Sequence, residues 1–243
     1  RRTFPLKLRK RVKILFISDV YFPRVNGVST SIRTFVGELQ AMGHEVHLIA
    51  PDYGIKTEDE GWIKRIPARS IYFDPEDKLM RYGKALARLG ELRQEDYDIV
   101  HIHTPFVAHY LGIKLARLLG TPCVETYHTF FEDYLHHYLP WIPASFARSL
   151  ARMISRRQCN AVGAIVAPSQ PMLDVLRQYG VTTNAEVIPT GLQPNSFSPA
   201  DGEAFRAKYG IALERPLTLY VGRVAFEKNI DFLLRMANEL RKK

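Results

Sequence analysis

Residues 21–32 read YFPRVNGVSTSI and follow directly on an apolar run, VKILFIS (12–18). The chemistry such a stretch can do is anion binding. Gly27 has no Cβ, so a phosphate oxygen can come close to its N–H. Val28, Ser29 and Thr30 then open a helix, whose unpaired first-turn amides and dipole favour negative charge. The same residues also suit a plain surface turn in which Ser29 or Thr30 only caps a helix. The dinucleotide fingerprint G-x-G-x-x-G is missing here, which argues against nicotinamide binding.

Histidines form the second group. Six of the eight fall between positions 101 and 137. His101 and His103 alternate along one strand and so share a face. His101, inside the apolar run, reads as a hydrogen-bonded core residue. His103 and His128 stand at strand ends, where a titratable ring is more useful. Zinc binding by these three with Glu125 is the alternative, but no spacing such as H-E-x-x-H occurs, so no metal is expected.

These residues need a scaffold, and the hydrophobic pattern supplies one. Strands are predicted at 12–18, 45–50, 62–67, 97–103, 122–127, 163–167, 185–189 and 216–221. Most are short and unalternating, as in strands covered on both faces. Helices are predicted at 28–42, 76–94, 105–119, 143–158, 169–179, 200–209 and 228–242, with Pro105 opening one and Gly120 just beyond its end. The rhythm implies an α/β fold with a doubly wound parallel sheet. Such sheets bind ligands beyond the carboxyl ends of their strands. The polar residues there are Asp19 to Gly27, Pro51-Asp52-Tyr53, His103-Thr104-Pro105, Tyr127-His128-Thr129, Ser169 and Pro189-Thr190-Gly191.

The last stretch, PLTLYVGRVAFEKNIDFLLRMANELRKK, is one strand and one amphipathic helix. A single βα unit cannot complete a second sheet. The expected organisation is a Rossmann-like domain over 1–195, with a basic arm at 1–11, then a linker helix and the opening of a second domain over 196–243. The alternative is that the unit packs onto the first domain and finishes it.

Composition sets outer limits. The 243 residues are 46% hydrophobic and 24% charged, with no apolar stretch long enough to span a bilayer, and residues 1–11 do not read as the apolar segment of a secretion signal. Two cysteines, Cys123 and Cys159, indicate neither a disulfide framework nor a thiolate site, and a cytoplasmic setting is expected. The net charge is +9, and seven cations with no acid stand in the first 13 residues. That arm reads as solvated, or as drawn to an anionic surface.

Taken together, PRVNGVSTSIRTFVGELQAMGHEVHLIAPDY, DIVHIHTPF, ETYHTFFEDYL, IPTGLQPNSF and LYVGRVAFEKNID resemble, in order and spacing, family four of the retaining, nucleotide-sugar-dependent glycosyltransferases. NGVSTSI with YHTFFEDYLHHY most resembles the branch that glucosylates diacylglycerol. The resemblance implies the GT-B arrangement, two Rossmann-like domains across a cleft, the first holding the acceptor and the second most of the nucleotide sugar. It implies that Gly27 meets the donor diphosphate through its amide and that His128 lies beside the transferred sugar as the catalytic residue. Arg223 and Lys228 would neutralise the departing diphosphate, with no divalent ion or other cofactor required. Fixed cations and amides aimed at that growing charge lower the barrier. Asn26, His103, Thr129, Ser169 and Thr190 are expected to line the acceptor side of the cleft. The family's downstream E-x7-E segment, which grips the donor sugar, is not in these residues, so the chain alone is expected to be inactive.

The acceptor is expected to be a lipid or glycan. A helix over 143–158 would align Arg148, Arg152 and Arg156, and residues 77–92 would align Arg81, Lys84 and Arg88. Such stripes are plain solvent faces or docks for anionic headgroups on the inner face of a membrane. Phe130, Phe131, Tyr134, Tyr138 and Trp141 could seat in the interfacial layer or form core. Two other readings compete, a non-catalytic sugar- or partner-binding Rossmann domain and a basic nucleic-acid binder. No nucleic-acid motif supports the latter, and nucleic acid is not an expected partner.

Overall fold

The computed structural model describes residues 11–55, 59, 61–71, 74–128, 143–192, 201–222, 224 and 228–242. It divides into two compact units, Arg1–Gln193 and Pro194–Lys243. The first is built on one eight-stranded sheet of order β4-β3-β2-β1-β5-β6-β7-β8. Its strands are β1 (Lys13–Ile17), β2 (Glu45–Asp52), β3 (Ile63–Ile71), β4 (Asp74–Met80), β5 (Ile99–Ile102), β6 (Cys123–Thr126), β7 (Ala164–Ala167) and β8 (Asn184–Val187). All neighbouring pairs are parallel except the edge hairpin of β3 with β4.

The helices of this unit are α1 (Gly27–Ala41), α2 (Tyr82–Ala87), α3 (Leu89–Arg93), α4 (Val107–Leu119), α5 (Ala144–Cys159) and α6 (Gln170–Gln178). Alternate residues of β1 show why its sequence is apolar throughout. Ile14 and Phe16 pack with Ile32 and Val36 of α1, whereas Leu15 and Ile17 join Leu111 and Leu115 of α4 on the other face. Each side chain so buried contributes about 1.5–3 kcal/mol relative to exposure. At α4, Gly112 lets the helix sit directly on β5, since a Cβ there would lie 2.5 Å from Ile102 Cγ1. The amino ends of the strands carry an ion-paired cluster, with Lys13 Nζ 2.7 Å and Lys64 Nζ 2.9 Å from Glu95. That pairing holds the Glu95 carboxyl down to about 2.

Three expectations are corrected. Residues 76–80, read as the start of a helix over 76–94, belong to β4, and the helical remainder is split into α2 and α3. Buried Met80 pairs with Ala68, so tertiary pairing overrides a helix-friendly composition. Pro105 lies in the turn before α4 rather than at its first position. Residues 216–221 form no strand, having no neighbouring strand among the described residues to complete a ladder. The C-terminal unit instead carries α7 (Gly202–Lys208) and α8 (Ile230–Leu240).

Candidate functional site

The strand order reverses between β1 and β5, because β1 leads outward to β2 and β3 while β5 leads the other way to β8. Beyond the carboxyl ends at such a point lies the natural ligand crevice. The β1–α1 turn is fixed by its own polar groups. Asn26 caps α1, its Oδ1 accepting from the Ser29 N–H at 2.8 Å, and Ser29 Oγ donates back to the Arg24 carbonyl at 2.7 Å. Gly27 is the first helical residue and is exposed, and a Cβ built on it would meet nothing within 4 Å. Neither backbone conformation nor packing inside the protein therefore demands glycine there. First-turn amides have no intrahelical acceptor, so the Gly27 and Val28 N–H groups are available to an anion.

Across β1 and β5, Asp19 joins the two ends. Its Oδ2 accepts from Thr104 Oγ1 at 2.9 Å and from the Ala108 N–H at 2.8 Å, which also anchors the first turn of α4. Asp19 is 5% exposed, its Oδ1 has no partner among the described residues, and burial pushes its carboxyl up to about 7. The sequence marks Asp19 and Thr104 only as rim residues. An acid immediately after a buried strand is the signal that it ties the rim together.

The histidines form a row on the face shared with α1. His101 stacks on His103 with ring centroids 4.2 Å apart, and His103 on His128 at 5.4 Å. His101 Nε2 meets Thr126 Oγ1 at 2.7 Å, and His103 Nδ1 meets His128 Nε2 at 3.1 Å, so the last two rings share one proton. Burial favours the neutral rings: His101 is lowered to about 3, His128 to about 4, and His103 falls well below the usual range. His103 Nε2 is buried without a partner among the described residues. Such rings hydrogen-bond hydroxyls at neutral pH without carrying charge. Among the described residues no three His, Cys, Asp or Glu side chains are placed to hold a metal ion.

Asn26, Gly27, His103 and His128 thus stand on one rim, at the carboxyl ends of β1, β5 and β6. Thr190, after β8, returns to α1, its Oγ1 3.1 Å from Ser31 Oγ. Ser169 follows β7 but serves as the cap of α6, accepting from the Met172 N–H. Lys228 belongs to the C-terminal unit and is exposed there. Thr129, Arg223 and the aromatic segment from Phe130 to Trp141 lie outside the described residues.

The row has a pH signature. An unfolded histidine takes up a proton below about 6.5, whereas these buried rings stay neutral, so stability drops as pH falls from there towards 4. Asp19 acts in the opposite sense, because it stays protonated in the fold between its ordinary value and about 7. Three histidines against one carboxylate give a net uptake of about two protons on unfolding, or roughly 2–3 kcal/mol lost per pH unit near pH 5. Thermal or denaturant melts between pH 7 and 4.5 check this, and a flat profile would mean the rings titrate normally.

A family model, Glycosyltransferase Family 4, matches residues 25–196. Among curated relatives, the alpha-monoglucosyldiacylglycerol synthase of Streptococcus pneumoniae is 32% identical over 92% of this chain and 51% of that protein. The GDP-mannose-dependent alpha-mannosyltransferase of Mycobacterium tuberculosis is 29% identical over 93% of this chain and 60% of that protein. Among solved structures, the sucrose-phosphate synthase of Thermosynechococcus elongatus has a TM-score of 0.67 at 18% identity, over 92% of this chain and 59% of that one. The fold is the Rossmann-like N-terminal half of the GT-B type, and the chain spans about half the length of the curated relatives it matches.

Proposed function

The chain belongs to glycosyltransferase family 4, and from that membership we propose that the protein is a retaining hexosyltransferase acting from a nucleotide-diphosphate sugar onto a lipid acceptor. The observation that carries this reading is the juxtaposition at the switch point. A glycine-opened helix terminus follows β1 and His128 follows β6, two strands separated by β5 alone, and His103 at the end of β5 stands between them, hydrogen-bonded to His128. Neighbouring strands lie about 4.8 Å apart, so that edge is the width of a sugar and a phosphate.

In the proposed reaction the Gly27 amide and the α1 dipole hold a diphosphate oxygen, and His128 hydrogen-bonds the sugar. Lys228, with Arg223, stabilises the charge on the departing diphosphate. Asn26, His103, Thr129, Ser169 and Thr190 are assigned in this proposal to the acceptor side. The likeness to a monoglucosyldiacylglycerol synthase supports a glycolipid product, and the basic helices support a peripheral position on the inner, anionic face of a membrane. Among the described residues no helix is long and apolar enough to cross a membrane.

The test is transfer by the full-length protein to diacylglycerol in mixed micelles, with UDP-glucose and GDP-mannose offered in parallel. An α-linked glycolipid is expected from one donor, while the 243-residue chain alone gives no measurable product. Inverted stereochemistry, or no hexosyl transfer from any nucleotide hexose, would refute the reaction. Full rates from the chain alone would refute the need for a donor-binding second domain.

A further inference from the structure

Away from the switch point, α4 and α5 enclose a groove of about 830 Å³ on the outer surface of the first unit. Tyr110, Met153 and Ile154 line it and are 58%, 60% and 38% exposed, an apolar floor that the fold leaves uncovered. Lys114, Arg117 and Arg157 line the same groove and are exposed, whereas no Asp or Glu does. Among the described residues none of these three cations has an acidic partner. His109, which also lines the groove, is hydrogen-bonded to the buried Glu125 at 3.0 Å.

Apolar side chains ringed by cations of one sign match an amphiphile with a negative head. The positive character also extends past the groove to α2, whose Tyr82 lines it and around which Arg81, Lys84 and Arg88 are exposed. Such a spread over three helices suits an extended anionic sheet better than the compact patch of one protein partner. Long cationic side chains can lay their stems on the apolar floor and reach lipid phosphates, and Tyr110 suits the interfacial layer.

We infer that the α4–α5 groove is the surface by which this chain lies on an anionic phospholipid bilayer. Lys114, Arg117 and Arg157 meet headgroup phosphates while Met153 and Ile154 enter the acyl boundary. The inference rests on the membrane reading above and names the surface responsible for it.

The experiment is co-sedimentation of the full chain with vesicles of phosphatidylcholine, with and without phosphatidylglycerol. The chain is expected to sediment with the anionic vesicles only and to be released by salt. In R117Q/R157Q the partition coefficient falls about 25-fold, roughly fivefold per cation removed near the surface. In M153S/I154S it falls as well, including at high salt. All four positions are exposed, so matching melting curves certify the variants' folding. R235Q/R241Q removes the same charge from the C-terminal unit and is expected to bind within about twofold of the parent. If the groove variants sediment like the parent, the groove is not the docking surface although the membrane reading survives. An equal loss in R235Q/R241Q reduces the attraction to bulk charge and overturns the assignment. A parent that sediments with neither vesicle overturns both statements and leaves the groove to a protein partner.

Discussion

Replacing Gly27 by valine is expected to lower kcat/KM of the full-length transferase by about a hundredfold to a thousandfold, the range seen when one oxyanion donor is lost, while leaving its melting temperature in place. The two halves of that expectation come from one observation. A side chain at position 27 would meet nothing within 4 Å, and the backbone there is ordinary helix. Substitution should therefore cost the fold nothing, and removing a glycine from a first helical turn even restricts the unfolded chain. The open space is where the proposed diphosphate approaches, and two added methyl groups would hold it beyond hydrogen-bonding distance of the amide. Gly27→Ala should show a smaller loss of the same kind, and Gly27→Asp a larger one, because it adds repulsion to obstruction. The loss should appear in donor KM as well as kcat, since the amide meets the diphosphate before and during transfer. A Gly27→Val enzyme with full activity would remove the donor phosphate from the α1 terminus.

That position is legible in the sequence because its signal is local. An apolar strand running into Asn-Gly and a small-residue helix start needs only neighbouring residues to be read, and the helix begins within one residue of the predicted place. The histidine row is half legible. Alternation puts His101 and His103 on one face, but only strand order can bring His128 beside His103, because β5 and β6 pair in parallel across a whole helix of sequence. Asp19 reads as a rim residue but not as a tie, since its partners Thr104 and Ala108 are more than eighty residues away. Residues 76–80 mislead for the complementary reason. EDKLM favours a helix locally, yet its pairing with β3 and the burial of Met80 are decided by contacts that no local window contains. Roles are harder to read than places. Ser169 stands where the rim is expected, but its hydroxyl caps α6, and the side-chain oxygen of Asn26 caps α1. Both caps are interactions that any helix start rewards, so the residue type alone does not separate them from acceptor contacts.

His128→Ala in the full-length enzyme is the second large effect, with an expected loss of about a hundredfold or more in kcat. The pH dependence then decides what kind of residue His128 is. Its ring is held neutral down to about 4 by burial, and it shares a single proton with His103. A ring with that affinity is a weak base at neutral pH and is seldom charged, so it contributes a fixed hydrogen bond to the sugar rather than a proton transfer. The rate of the native enzyme should accordingly show no acid limb at the ordinary histidine value near 6.5. His128→Gln, which keeps a hydrogen-bonding side chain, should recover part of what alanine loses without changing the shape of the profile. His103→Gln tests the positioning of that ring. Its side chain sits behind His128, so the substitution should lower kcat through a misplaced His128 and should add little when combined with His128→Ala. A limb near 6.5 that vanishes in His128→Gln would show an imidazole titrating in contact with solvent, and the neutral row would then be the wrong description of the site.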